Sequence, residues 1–221
     1  MYQLFCIEGR QEMGVRPNAG SQRGEYDLSN PVGSFVEVVR TVVTTPAQFF
    51  SSIHRRGNFL SPLVFALICI EISTILGGLL RLAWHSETMG GVRFSGMAYG
   101  FGGYIADVIL APIGGAIGLF VFAAIAHLLV MLFVGDANSG YEATFRVVSY
   151  VSVTSLVNWI PLIGGLLALY GLYLAVVGIR EVHATTTGRA ALVVLLPIGV
   201  LLLLVLLLFV VAGAVVLGRL I

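Results

Sequence analysis

The chain has 221 residues, 58% of them hydrophobic and 10% charged, with a net charge of +1; a soluble globular domain carries about 25% charged residues. That composition excludes a water-solvated fold, and basic residues scattered along the chain, all arginine, exclude a nucleic-acid footprint. Cys6 and Cys69 fall in a polar tail and in an apolar run, which speaks against a disulfide between them.

Residues 1–30 mix Gly9, Gly14, Pro17, Gly20 and Gly24 with charges, show no sustained period and lack the apolar core of a secretory signal. A disordered amino-terminal tail is expected there. From Val32 onward, Phe35, Val36, Val39, Val42, Val43, Phe49, Phe50 and Ile53 recur at steps of three and four, opposite Glu37, Arg40, Thr44, Gln48 and Arg55. This pattern predicts amphipathic interfacial helices over residues 31–57, lying on the membrane surface. Two capping boxes, Ser34 with Glu37 and Thr45 with Gln48, divide the segment, and Pro46 suits a first helical position, so a break is expected near Thr44 and Thr45.

Residues 58–221 then read as a transmembrane domain. Ser61 and Pro62 open a first span over residues 63–84, interrupted only by Glu71; a glycine-rich link over 85–103 leads to a second span over 104–134. The uncharged run 147–179 would be about 50 Å long as one helix, too long for a hydrocarbon core of about 30 Å. Asn158, Trp159 and Pro161 at its middle predict a hairpin of two short helices. The last span covers about residues 190–217. With five spans, Arg40, Arg55, Arg56, Arg146, Arg180 and Arg189 share the amino-terminal side, against Arg81, Arg93 and Arg219 on the other. A four-span alternative moves Arg180 and Arg189 across and Arg219 back, which weakens the bias. The fold class expected is therefore an all-α membrane protein: five transmembrane helices preceded by amphipathic interfacial helices, amino terminus cytoplasmic and carboxyl terminus opposite.

Polar groups inside spans are costly and are functional candidates by default. Glu71, Asp107 and His127 qualify, either as packing contacts facing the bundle interior or as a proton or substrate relay. Arg180, Glu181 and His183 lie at the cytoplasmic end of the fourth span and offer a surface for a lipid headgroup or a protein partner. No metal or cofactor is expected, because His54, His85, His127 and His183 are far apart and neither cysteine joins them. Neither HExxH nor GxSxG occurs, so no enzyme is expected. Small residues four apart, such as Ala111 with Gly115, Gly114 with Gly118, Gly164 with Ala168 and Gly171 with Ala175, allow close helix packing within the chain or in a homo-oligomer.

TPAQFF at residues 45–50, HLL at 127–129, FRVVSY at 145–150 (ending in Tyr150), WIP at 159–161, the stretch 178–189 and Pro197 follow one another in an order that resembles the Yip (Ypt-interacting protein) domain family in its prokaryotic form, over residues 38–197. The resemblance implies a five-helix membrane domain with a cytoplasmic amino-terminal segment, in a prokaryotic plasma membrane. Eukaryotic members are associated with Rab-type GTPases, vesicle transport and membrane shaping. Their Asp-Leu-Tyr-Gly-Pro motif is matched only loosely by Asp27, Leu28, Ser29, Asn30 and Pro31, which leaves GTPase binding without its motif. The function expected is a noncatalytic multi-pass protein that organises lipid or protein partners; the rival is a small-solute or ion transporter built on Glu71, Asp107 and His127.

Overall fold

The computed structural model describes residues 24–83 and 100–220, with side chains to residue 212. Residues 1–23 of the expected tail, residue 84 at the end of the expected first span and residues 85–99 of the expected link lie outside the described residues. Every regular element described is helical.

Helix α1 (Pro31–Thr44) and helix α2 (Pro46–Ser52) are separated at Thr45, where the sequence predicted the break. The first capping box is not formed. The helix starts four residues earlier, behind Asn30 with Pro31 at its first position, and Ser34 is internal. Its hydroxyl lies 2.8 Å from the Asn30 carbonyl and accepts the Asp27 N–H at 3.0 Å, so it serves the strap that precedes the helix. Thr45 does precede α2, but its hydroxyl turns back to the Thr41 carbonyl at 3.2 Å and makes no cap bond. The expected tail also ends sooner than residue 30, because Glu25 and Tyr26 are buried against the bundle.

Among the described residues, four helices are long and apolar enough to cross a membrane: α3 (Leu60–Ala83), α4 (Phe101–Val134) with its 3-10 turn, α6 (Ile163–Val182) and α7 (Thr187–Leu220). The Asn58 side-chain oxygen accepts the Leu60 N–H at 2.7 Å and opens α3. Gly135, at φ +76°, ends α4 in a conformation that costs glycine nothing. Between α4 and α6 lie α5 (Tyr141–Val151) and a 3-10 segment, Ser152–Val157. The run expected to begin at residue 147 thus begins six residues earlier, because the charge of Arg146 is buried in an ion pair and does not end the helix. The turn at 158–162 falls at Asn158, Trp159 and Pro161 as predicted, and it closes through Leu162 (φ +70°) with the Ile163 N–H donating to the Pro161 carbonyl at 2.9 Å.

The two ends of the bundle are distinct. One gathers the loops 53–59, 135–140 and 183–186: the Ser139 hydroxyl donates to the Val182 carbonyl at 2.7 Å, and the Gly57 N–H donates to the Glu142 carboxylate at 2.8 Å. The other gathers Arg81 of α3, Asp107 of α4 at 3.8 Å from it, and Trp159 of the hairpin turn beside Gly77. Burial of large side chains concentrates toward the first end, where Phe49, Phe50, Phe65 and Tyr150 form a contiguous aromatic cluster with ring centroids 5.0 to 5.3 Å apart.

Small residues bring helices together within the chain. A Cβ on Gly115 would meet Ile70 at 3.2 Å, one on Gly171 would meet Thr154 at 3.2 Å, and one on Gly178 would lie 2.5 Å from a Val147 methyl. A Cβ on Gly114 or Gly118 would meet nothing from a neighbouring element within 4 Å.

Candidate functional site

Two hydrogen-bonded centres occupy the loop end, both built on the first turns of α5. The first surrounds Arg146, a guanidinium almost wholly removed from solvent. Arg146 donates to the Glu25 carboxylate and, through Nη2, to the Asn58 carbonyl at 3.0 Å. Glu25 also receives the His54 N–H at 2.6 Å, while His54 Nδ1 and the Tyr150 hydroxyl lie 3.2 and 3.5 Å from it. Burying a charge without a partner costs several kcal/mol, so the strap carrying Glu25 is part of the fold of α5. Tyr26 follows Glu25 inward, its ring 6.0 Å from Phe65 and its N–H 3.4 Å from the Tyr150 oxygen.

The second centre is a directed chain. The Ser139 N–H donates to His183 Nδ1 at 3.1 Å, which places the His183 proton on Nε2 in the neutral ring. Nε2 then donates to Thr144 Oγ1 at 3.0 Å, and the Thr144 hydroxyl is left to donate to His127 Nδ1, also at 3.0 Å. A loop, α5, α4 and the end of α6 are joined through one threonine.

Burial drives the His183 pKa down to about 4, and the nearby His127 and Arg55 charges push it the same way. An unfolded histidine titrates near 6.5. The folded form therefore keeps His183 neutral while the unfolded chain takes up a proton, so stability is complete above pH 6.5 and is lost as pH falls toward 4. Melting of the detergent-solubilised protein should move to lower temperature across that window. His183→Gln, whose amide can both accept from Ser139 and donate to Thr144, should flatten the decline.

The structure treats the candidates differently. His127 and His183 share the Thr144 chain, with rings 6.4 Å apart. Tyr150 belongs to the Arg146 centre. Arg180 and Glu181 bind one another, with Nε and Oε1 at 3.0 Å, and Arg180 Nη1 reaches the Thr187 hydroxyl at 3.5 Å across the loop. Asp107 pairs with Arg81 at the opposite end. Glu71 is partly buried on α3, with one carboxylate oxygen enclosed and no hydrogen-bond partner among the described residues. No group of three or more His, Cys, Asp or Glu side chains that could hold a metal ion occurs among the described residues.

Sequence reasoning missed Glu25, Arg146 and Thr144. Arg146 looked like a loop charge, although Ala143, Phe145, Val147 and Val148 around it mark an apolar segment. Nothing local marks Glu25.

No curated protein and no solved structure matches the chain. The Yip1 domain matches residues 40–209, which take in α3 to α6, both centres apart from Glu25 and Tyr26, and most of α7. The match covers well over half of the sequence, and the chain belongs to the Yip1 domain family.

Proposed function

We propose that this protein is a noncatalytic, five-crossing membrane protein that organises lipid or protein partners at its cytoplasmic face, with α1 and α2 as a wedge in the cytoplasmic leaflet. The observation that carries this reading is the three-faced surface of α1. Ser34, Val38 and Val42 are buried on the bundle; Val32, Val36 and Val43 are 76%, 62% and 44% exposed on a second face; Glu37, Arg40 and Thr44 lie on a third. Bundle, lipid and water are the three surroundings that suit these faces. The Tyr170 hydroxyl donates to the Val43 carbonyl at 2.6 Å, twelve residues (170 to 182) before the end of α6, about 18 Å along that helix. The α1–α2 corner therefore leans down the flank of the bundle instead of lying flat over it. The Thr41 hydroxyl donates to the Glu37 carbonyl one turn back at 2.7 Å, which lowers its cost at the lipid boundary.

The fifth crossing rests on distance. Helix α6, of twenty residues, is about 30 Å long and ends beside Ser139. Its start at residue 163 is then a hydrocarbon thickness from the loop that opens α5. Eleven α-helical and six 3-10 residues, together about 28 Å, cover that depth. Arg55, Arg56, Arg180 and Arg189 at the loop end favour the cytoplasmic side for it. A groove of about 520 Å³ lined by His54, Arg55, Arg56, Asn138 and Ser139 gives that face a basic recess for acidic groups.

The transporter reading loses ground because its three residues do not converge: His127 serves the loop end, Asp107 the far end, and Glu71 meets neither. Spin labels in reconstituted vesicles test the wedge. A label replacing Val36 should be shielded from aqueous relaxants, with one replacing Gln48 partly wet. Replacing Phe49 and Phe50 by serine, at about 1.5 to 3 kcal/mol of lost burial each, should detach α2 and expose the Val36 label. A Val36 label as wet in the native protein as in that variant would sink the wedge.

A further inference from the structure

At the end of the bundle opposite both polar centres, α3 and the 3-10 segment part to leave a cleft of about 730 Å³, within the range of small-ligand sites. Its wall is mixed: Ile70, Leu80 and Trp159 supply apolar surface, Ser73 and Ser155 hydroxyls, and Arg81 a guanidinium. We propose that this cleft binds one phospholipid of the leaflet facing that end, its phosphate on Arg81 and one acyl chain running along α3 toward Ile70. The inference deepens the reading above by giving it a lipid site, and it takes its assignment of the leaflet from that reading.

Length supports the fit. Arg81 lies in the last turn of α3, and from Ile70 to Arg81 the helix rises about 16 Å, close to the hydrocarbon depth of one leaflet. Arg81 and the Trp159 indole are the residue types that mark the headgroup level. Arg81 Nε donates to the Gly77 carbonyl at 3.4 Å and Nη1 lies 3.8 Å from Asp107, with both charged side chains about half exposed, so a phosphate can join these contacts at the guanidinium fork. Deeper in, the Ser155 hydroxyl already donates to the Ser152 carbonyl at 2.7 Å and that of Thr74 to the Ile70 carbonyl at 3.0 Å. An acyl chain can pass these groups without stripping their hydrogen bonds.

The test uses the full chain in detergent with added phosphatidylglycerol, read by native mass spectrometry. A second readout is quenching of Trp159 by lipid brominated on its chains, in a Trp84→Phe background. One phospholipid should be retained per chain and Trp159 should be quenched. Ser73→Phe, and independently Ser155→Leu, should weaken retention about tenfold by filling the cleft, and Arg81→Gln should weaken it several-fold. Retention unchanged by both cleft-filling variants, absence of any retained phospholipid, or displacement by chainless glycerol phosphate would overturn the proposal. The Val36 spin label reports the wedge separately: lipid lost with that label still shielded refutes the cleft alone, whereas a wet label with lipid retained refutes the wedge alone.

Discussion

Glu25→Gln should cost the folded protein about 3–5 kcal/mol, the loss expected when one partner of a buried ion pair is removed and the other stays charged. Arg146 has no water to turn to, and the Asn58 carbonyl alone cannot neutralise it. Arg146→Met should cost less. It leaves the Glu25 carboxylate with the His54 ring nitrogen 3.2 Å away and the His54 backbone N–H still donating to it. The double variant should lose much less than the sum, because a methionine against a neutral amide leaves no buried charge. Unfolding in mixed micelles of increasing denaturing detergent measures all three. Strict additivity, or a loss below about 1 kcal/mol for Glu25→Gln, would mean that the strap does not hold α5. A strap held this firmly implies that the fold extends amino-terminal of residue 40, where the family match begins.

Gly178→Val should be strongly damaging to the packing of α6. Even an alanine Cβ there would lie 2.5 Å from Val147 Cγ1 and 3.3 Å from two Phe50 ring carbons. The Val147 side chain is branched at Cβ and buried, so it cannot swing aside, and α5 or α2 must move instead. Gly178→Ala should cost about 1–3 kcal/mol by overpacking, and the valine variant more. Val147→Ala should restore much of the loss in the alanine variant. Gly114→Ala is the control, since nothing lies within 4 Å of its Cβ position, and it should be close to neutral. An equal loss at both glycines would place the effect in the helix backbone and not in the contact.

The parts of this fold that depend on solvent and on local breakers were legible in the sequence. The apolar runs place α3, α4 and α7, Pro46 places the α1–α2 corner, and Asn158, Trp159 and Pro161 place the hairpin turn. What depends on distant partners was not. Arg146 reads as a loop charge until Glu25, 121 residues away, is brought to it, and α5 then starts at residue 141. His127 and His183 could each be named, but the hydroxyl that joins them belongs to Thr144, a residue whose role depends on both neighbours. Ser34 satisfied a local capping pattern that the Asn30–Pro31 start forestalled, since proline at the first helical position set the boundary.

The most direct test of the account is the side of the membrane reached by two introduced cysteines, one replacing Leu162 in the hairpin turn, 89% exposed, and one replacing Thr186 in the exposed loop before α7. The background carries Cys6→Ser and keeps Cys69, which is fully buried. With an impermeant maleimide applied to right-side-out and inside-out vesicles, Thr186→Cys should react only from the cytoplasmic side and Leu162→Cys only from the other. Reaction of both from the same side would contradict the fifth crossing and, with it, the placing of both polar centres and the wedge at one cytoplasmic face.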